Sequence, residues 1–366
     1  MKLKLQREAL LKPLLMVGNI VERRPSLAIL SNILIQVADG KMTLTGTDLE
    51  LEMVSQLAVD SNENEEITLP ARKFIDICRA LPENAEIELN SDQDRCVIRS
   101  GRSRFTLSIL PASEFPNIEA VTAPFMFRLT QGELKKLIEK TQFCMAQQDV
   151  RYYLNGLLLE ITPKQLNAVA TDGHRLALSE MEGDFDVAEN RQIILPKKGV
   201  NELARLLEDT DSPVNIKLSE NHIRIEMDDM VFTSKLIDGK FPDYQQVIPQ
   251  DCEKTIICDR EQLRQAFLRA SVLSNEKYRG ILLQFSPGLL NATVHNPEQE
   301  EAEEQIEVRY EGPEFEIGFN VAYFQEALAV IDEPNVVLNM TDTNHSCLIM
   351  GEGNSANRYV IMPMRL

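Results

Sequence analysis

The chain repeats itself, and a repeat constrains a fold more than any single motif does. The segment LPARKFIDICRAL (69–81) returns as LPKKGVNELARLL (195–207) at an offset of 126, and as FNVAYFQEALAVI (319–331) at an offset of 250. Each copy carries an apolar stripe at i, i+3, i+4 and i+7. The stripes are Phe74, Ile77, Cys78 and Leu81; Val200, Leu203, Ala204 and Leu207; and Phe324, Ala327, Leu328 and Ile331. That spacing predicts a helix with one buried face. EALLKPLLMV (8–17), GELKKLIEKT (132–141) and EQLRQAFLRA (261–270) read as a first helix in each copy. TDLELEM (47–53), TDGHRLAL (171–178) and NPEQEEAE (296–303) share one further equivalent place, at offsets of 124 and 125.

Between the helices the pattern changes to period two. Ile223, Ile225 and Met227 alternate with polar residues, as do Phe105, Leu107 and Ile109. These are strands with one solvated face, punctuated by turns such as ADGK and NSDQD. The predicted class is α+β: three tandem homologous domains over 1–124, 125–248 and 249–366, each with two helices on antiparallel sheets. EFPN (114–117) and KFPDY (240–244) mark the ends of the first two. A chain of 366 residues is too long for one core, which agrees.

Composition removes several function classes. No apolar run approaches the roughly 20 residues needed to span a bilayer. The N-terminal MKLKLQREALLKPLL lacks an apolar core followed by a small-residue cleavage site, so no export signal is expected and the cytoplasm is the expected compartment. Cysteines 78, 96, 144, 252, 258 and 347 form no C-x-x-C pair, which favours reduced thiols over disulfides or zinc. Histidines 174, 222, 295 and 345 show no metal-ligand spacing, and no phosphate loop or nucleophile elbow is present. No metal and no cofactor are expected.

The net charge of −19 argues against a nucleic-acid partner, unless the basic residues share one surface. They gather on the helices. Arg72 and Arg79 lie opposite the stripe of the second helix in copy one, and Lys198 and Arg205 take the equivalent places in copy two. Segment 71–82 carries three basic residues against one acidic, whereas 319–333 carries three acidic and none basic. A solvated helix face is one reading. The other is a helical surface that meets a polyanion without reading bases.

The run Asp172, Gly173, His174, Arg175 resembles acid–base machinery. Within the repeat, however, His174 is matched by Glu50 and Gln299, and no second motif completes a triad. A hydrogen-bonded surface histidine at a strand end is the simpler reading of the residues alone.

LTGTDLELEM, RSGRSRFTLS, QDVRYYLNG, VATDGHRLAL, FTSKLIDGKFPDY, LSNEKYRG, HNPEQEEAEE and the terminal YVIMPMRL resemble the bacterial DNA polymerase III beta subunit, the DNA sliding clamp family, over essentially the whole chain. The resemblance implies a non-catalytic processivity factor: a head-to-tail ring of two chains around duplex DNA, with helices lining the hole. Size arithmetic agrees with two chains. Domains of roughly 35 Å diameter leave a gap of a few Å when three close a ring, and a hole on the order of 35 Å when six do.

The resemblance also assigns residues. Arg24, Gln148, Tyr152, Tyr153, Lys197 and Lys198 would approach DNA, beside the basic positions Arg72, Arg79 and Arg205. The two tyrosines also read as simple packing at a strand start. Arg102, Arg104, Phe105 and Leu107 would meet Val272, Leu273, Glu300, Glu301, Glu303 and Glu304 of a second copy, with opposite charges fixing register. A peptide-binding pocket between domains two and three would comprise Leu154, Thr171, Gly173, His174, Arg175, Leu176, Pro242, Val247, Tyr278, Asn320, Tyr323, Ser346, Val360, Ile361, Met362, Pro363, Met364 and Arg365. In it the apolar side chains would seat ligand anchors, while His174, Arg175 and Arg365 supply polar rim contacts.

The implied partners are duplex DNA, a second copy, the polymerase III alpha subunit, the clamp-loader delta subunit, translesion and repair polymerases, and mismatch-repair proteins carrying short clamp-binding peptides. Within the cytoplasm the protein would sit at the nucleoid. Gln245 and Gln246 stand where the family often has an arginine pair, Asn344 where it is often aliphatic, and Gln147 where a histidine is common. An acidic repeat scaffold that binds proteins only, and an enzyme acting at Asp172 and His174, are the competing readings.

Overall fold

The structure is a computed structural model that describes all residues except 23–25, 62, 93, 117–124, 186, 188 and 366. Repeat one runs β1 (Lys2–Gln6), α1 (Arg7–Gly18), β2 (Asn32–Ala38), β3 (Lys41–Thr47), β4 (Leu51–Ala58), β5 (Glu65–Pro70), α2 (Ala71–Ala80), β6 (Glu86–Asp92), β7 (Arg95–Ser100) and β8 (Ser103–Ser108). Repeat two follows the same order with β9 (Phe125–Thr130), α3 (Gln131–Glu139), β10 (Gly156–Ile161), β11 (Gln165–Thr171), β12 (Arg175–Glu182), β13 (Arg191–Pro196), α4 (Lys197–Leu206), β14 (Pro213–Leu218), β15 (His222–Met227) and β16 (Met230–Lys235). Repeat three is β17 (Lys254–Asp259), α5 (Arg260–Ser271), β18 (Gly280–Ser286), β19 (Leu289–His295), β20 (Glu301–Glu307), β21 (Phe315–Asn320), α6 (Val321–Val330), β22 (Asn335–Met340), β23 (Cys347–Gly351) and β24 (Asn354–Ile361).

The helices begin two residues later than the repeated segments. Leu69 and Pro70 still belong to β5, paired with Ile33 and Asn32, because a residue before proline is pushed to extended backbone. Strand then passes directly into helix at Ala71, Lys197 and Val321. The helical stripes are buried as their spacing requires, with Phe74, Cys78, Val200, Leu203, Phe324 and Leu328 fully inside. Ile223, Ile225 and Met227 alternate inward along β15. Ile109 lies just beyond β8 rather than in it.

Each repeat contributes two four-stranded half-sheets, and the half-sheets join edge to edge. One eight-stranded sheet has the order β5-β2-β3-β4-β16-β15-β14-β9, joined at β4–β16; the other runs β13-β10-β11-β12-β24-β23-β22-β17, joined at β12–β24. Two half-sheets stand alone, β1-β6-β7-β8 and β20-β19-β18-β21. The described residues form two compact units, 1–134 with 201–236 and 135–200 with 237–366, and each contains one of the two joined sheets.

Candidate functional site

The turn at 171–175 is built from hydrogen bonds that its side chains make to backbone. Thr171 Oγ1 donates to the Arg175 carbonyl (2.6 Å) and accepts from the Gly173 amide (3.1 Å). Asp172 Oδ1 accepts from the amides of His174 (2.9 Å) and Arg175 (3.1 Å). Thr47 and Asp48 make the same set to Leu49, Glu50 and Leu51 in repeat one. Threonine and aspartate are therefore hairpin-turn residues in both repeats. The turn needs left-handed backbone at its second position: Gly173 has φ +89°, and its counterpart Leu49 has φ +75°.

His174 is exposed and its ring makes no hydrogen bond among the described residues, so nothing orients it as a base. Asp149 nearby is spent on Arg151, whose hydrogen bond holds that carboxyl down at about 2.

Arg175 departs from the expected rim position. Its side chain is only 11% exposed, and its donors are spent on the protein. Nε donates to Asp172 Oδ2 (3.0 Å), Nη2 to the Phe143 carbonyl (2.8 Å) and Nη1 to Glu326. The guanidinium lies over the Tyr323 ring at 4.4 Å and near the Phe143 ring at 5.5 Å. Strand pairing, not rim chemistry, sets its place: Arg175 lies opposite Ile361 and Leu176 opposite Val360 across β12–β24.

Beneath the turn, Leu154, Leu176 and Val360 are buried in one cluster with Phe241, Tyr244 and Ile248. Tyr244 donates to Glu160 (2.5 Å), and burial followed by that carboxylate pushes its hydroxyl up to about 12. Above the cluster, Met362 (43% exposed), Val247 (38%) and Pro242 present apolar surface to solvent. The tail after β24 is fixed at two points: the Met362 amide donates to the His174 carbonyl (2.9 Å) and the Met364 amide to the Gly318 carbonyl (2.8 Å). Pro363 lies between them, partly buried, and Arg365 is exposed.

Asn320 caps α6 by accepting from the Ala322 amide (3.0 Å), and the Val321 amide bonds to the Arg279 carbonyl, next to exposed Tyr278. Ser346 precedes β23, where Cys347 pairs with Ile361. Phe143, Glu326, Lys140 and Asp332 belong to the same surroundings and carried no motif. Only the acidity of 319–333 pointed at two of them.

The residues assigned to DNA come from several elements. Arg72 and Arg79 are exposed on α2, and Arg205 on α4 pairs with Glu202 at 2.8 Å. Lys198 is exposed, whereas Lys197 is half-buried and donates to the carbonyls of Met145 and Ala146 (3.2 Å each). Tyr152 stands out in solvent while Tyr153 packs on the buried cluster, so the two readings of the tyrosine pair divide between them. Gln148 is exposed with φ +55°. Arg24 lies outside the described residues.

Arg102 and Arg104 are exposed and form no ion pair among the described residues; Phe105 is half-buried and Leu107 is buried. Val272 is 78% exposed and Leu273 partly so. Along β20 and the turn before it, Glu300 accepts from Asn296, Glu301 and Glu303 are exposed, and Glu304 is held by Arg269 through two bonds of 2.7 and 2.6 Å. That guanidinium keeps the Glu304 carboxyl below the usual carboxylate range. Burial pushes the Cys78 thiol up to about 12 and Cys96 to about 11, which makes them inert.

Three α+β repeats with half-sheets merged edge to edge, basic helix faces and an apolar patch beside the C-terminal strand define a clamp-type protein. Comparison with known proteins agrees: the N-terminal, central and C-terminal domains of the DNA polymerase III beta subunit match residues 1–119, 128–243 and 245–365. The beta sliding clamp of Pseudomonas putida is 51% identical over 363 residues, 99% of each chain. That of Escherichia coli K12 is 49% identical over 367 residues, covering both chains in full. The crystal structure of the Pseudomonas aeruginosa sliding clamp bound to griselimycin superposes with a TM-score of 0.97 at 50% identity, covering both chains in full. The griselimycin-bound clamp of Bartonella birtlesii gives 0.97 at 38% identity, again with both chains fully covered. The chain belongs to the DNA polymerase III beta subunit family, and it is a sliding clamp.

Proposed function

We propose that two copies close head to tail into a ring that encircles duplex DNA and tethers replication and repair proteins by their short peptides. The observation that carries this reading is the arithmetic of the sheet edges. Each half-sheet ends in a strand whose number is a multiple of four, and the joined pairs, β4 with β16 and β12 with β24, are twelve apart. Counting on round 24 strands, β20 calls for β8. Those two edges are unjoined among the described residues, and they lie in different repeats at opposite ends of the chain. Their side chains are complementary: Arg102 and Arg104 at β8 against the glutamates of β20, with Val272 and Phe105 as apolar neighbours. A second copy satisfies both edges at once and closes the ring.

The natural domain limits are 1–124, 125–248 and 249–366. The basic faces of α2 and α4, with Tyr152, Gln148 and Arg24, would contact phosphates without reading sequence, so binding falls steeply with salt. The apolar patch of Val247, Pro242 and Met362 above Leu154, Leu176 and Val360, with His174 and Arg365 at its rim, would take the peptides of polymerases, the clamp loader and repair proteins. Nothing in the 171–175 turn is arranged for turnover, so the reading is non-catalytic, in the cytoplasm at the replicating nucleoid.

Two measurements test this. The purified chain should sediment at twice its 41.5 kDa, and a stable monomer at micromolar concentration would overturn the ring. Loaded protein should stay on circular DNA and slip off the same DNA once linearised. Equal retention on both would leave only an ordinary DNA-binding or scaffold protein.

A further inference from the structure

The segment that broke the charge pattern, 319–333, contains α6. Two of the segment's three carboxylates have partners from repeat two, and the third, Glu333, accepts from Asn354 within repeat three. Glu326 accepts from Arg175, and Asp332 accepts from Lys140 Nζ at 2.7 Å. The same ammonium donates to the Val330 carbonyl in the last turn of α6. Lys140 follows the end of α3, and its side chain is only 9% exposed. A lysine buried to that degree must be paired, and these two acceptors pair it.

The other joined sheet serves as an internal control. Glu202 and Glu208 precede Glu326 and Asp332 by 124 residues, so the acceptors are kept. Leu51 and Met16, also 124 residues earlier, replace Arg175 and Lys140. The shared turn bonds of Asp48 and Asp172 fix that register independently. Without the cations, Glu202 turns to Arg205, and Glu208 lies 3.8 Å from Lys12. A groove of about 510 Å³ stays open, with Met16, Leu206 and Glu208 in its wall. The sheet junction forms there with Leu51 and Met16 in those two places, so joining two half-sheets does not require a cation at either.

The stapled junction also carries the apolar patch of Val247, Pro242 and Met362 and the tail that follows β24. Tyr323, in the first turn of α6, lies under Arg175; Gly318, in the strand leading into α6, holds Met364; His174 holds Met362. We propose that Arg175 and Lys140 are positioning residues for peptide docking: two buried cations that pin α6 to repeat two and hold the turn, Tyr323 and the tail in ligand-ready geometry. This rests on the docking reading above. Lys140 grips the end of α6 seven residues from Tyr323, about 10 Å along the axis, so it acts through the helix. Holding the competent geometry in advance raises apparent affinity without adding a contact.

The probe is griselimycin, carried by the related crystal structures. It is titrated calorimetrically into the full-length chain, Lys140→Met, Lys140→Arg and Arg175→Lys, with hydrogen exchange followed over 171–176 and 321–330. Lys140→Met should weaken binding about tenfold and speed exchange in 171–176, and Lys140→Arg should restore both. A purely stabilising lysine would lower the melting temperature yet leave affinity within about twofold and exchange at 171–176 unchanged; that result overturns the proposal. If the unmodified chain fails to bind griselimycin, the docking reading falls. Exchange then decides alone: faster exchange at 171–176 in Lys140→Met sustains the positioning role, and unchanged exchange ends it.

Discussion

The junctions β4–β16 and β12–β24 are the same piece of architecture made with different chemistry. Across β12–β24, charge joins the repeats at three places: Arg175 to Glu326, Lys140 to Asp332, and Arg358 to Glu180 at 2.5 Å, beside a Ser179–Asn357 hydrogen bond of 2.7 Å. The matching positions in the first junction are Leu51, Met16, Val231 and Gln56, and its cross-strand partners include Val54 with Val231 and Met53 with Phe232. Two charge pairs that span it are exposed and long, Lys235 to Glu50 at 3.6 Å and Lys12 to Glu208 at 3.8 Å. Two half-sheets therefore merge there without a cation at the places of Arg175 and Lys140. The cations here are buried while their carboxylates are partly exposed, Glu326 at 48% and Asp332 at 71%, so what each pair secures is the cation, which would lie buried and unpaired if displaced from its acceptors. In the reading proposed above, the junction that holds these cations is also the one that docks peptides.

The largest effect expected from this contrast follows Arg175→Ala. Removing the guanidinium takes one donor each from Asp172, Glu326 and the Phe143 carbonyl; Asp172 keeps two backbone amides and Glu326 is half exposed, so the cost is about 2 kcal/mol. Native-state hydrogen exchange reads each junction separately, so the loss should appear in the amides of β12 and β24 and spare those of β4 and β16. A loss below about 1 kcal/mol would mean that the cation is incidental and that the two junctions are equivalent.

The turns offer a second, smaller comparison. Gly173→Ala forces a side chain into left-handed backbone and brings a Cβ within 2.9 Å of the Arg151 guanidinium. The expected loss is about 1–2 kcal/mol. Leu49→Gly relieves the same backbone in the first junction and should gain about 0.5 kcal/mol, because the relief is partly offset by glycine's larger unfolded-state freedom. Opposite signs in thermal unfolding sharpen the comparison. A stabilising Gly173→Ala would show that the turns are not equivalent.

Much of this organisation is legible in the residues. The stripes at i, i+3, i+4 and i+7 place the second helix of each repeat, the repeat spacing places the first, and period two places β15. The shared offset of 124 identifies the 47–51 and 171–175 turns as one element, because local bonds repeat wherever the local sequence does. The staples are not legible in the same way. Arg175 reaches Glu326 across 151 residues and Lys140 reaches Asp332 across 192, and no local pattern encodes such a pair. Position 175 shows why residue type misleads: an arginine beside a histidine reads as a polar rim, yet its place opposite Ile361 turns it inward. The net acidity of 319–333 was visible, but half of that signal lay in the cations of another repeat.

The smallest effect comes from giving the first junction what the second has. Met16→Lys puts an ammonium at the position of Lys140, on the wall of a groove with room for it, with Glu208 standing where Asp332 stands. Glu208 is 64% exposed, so the new pair is screened and should contribute only about 0.5 kcal/mol. Overall stability would hide so small a change, since losing Met16 from the groove also costs packing. A double-mutant cycle with Glu208→Gln, read in the exchange of the α1 and β4 amides, isolates the pair. A coupling of about 0.5 kcal/mol would mean that the junctions differ mainly in which side chains occupy equivalent places. No coupling would mean that the first junction cannot close on an ammonium, so its openness lies in the backbone of α1 and the segment after α4.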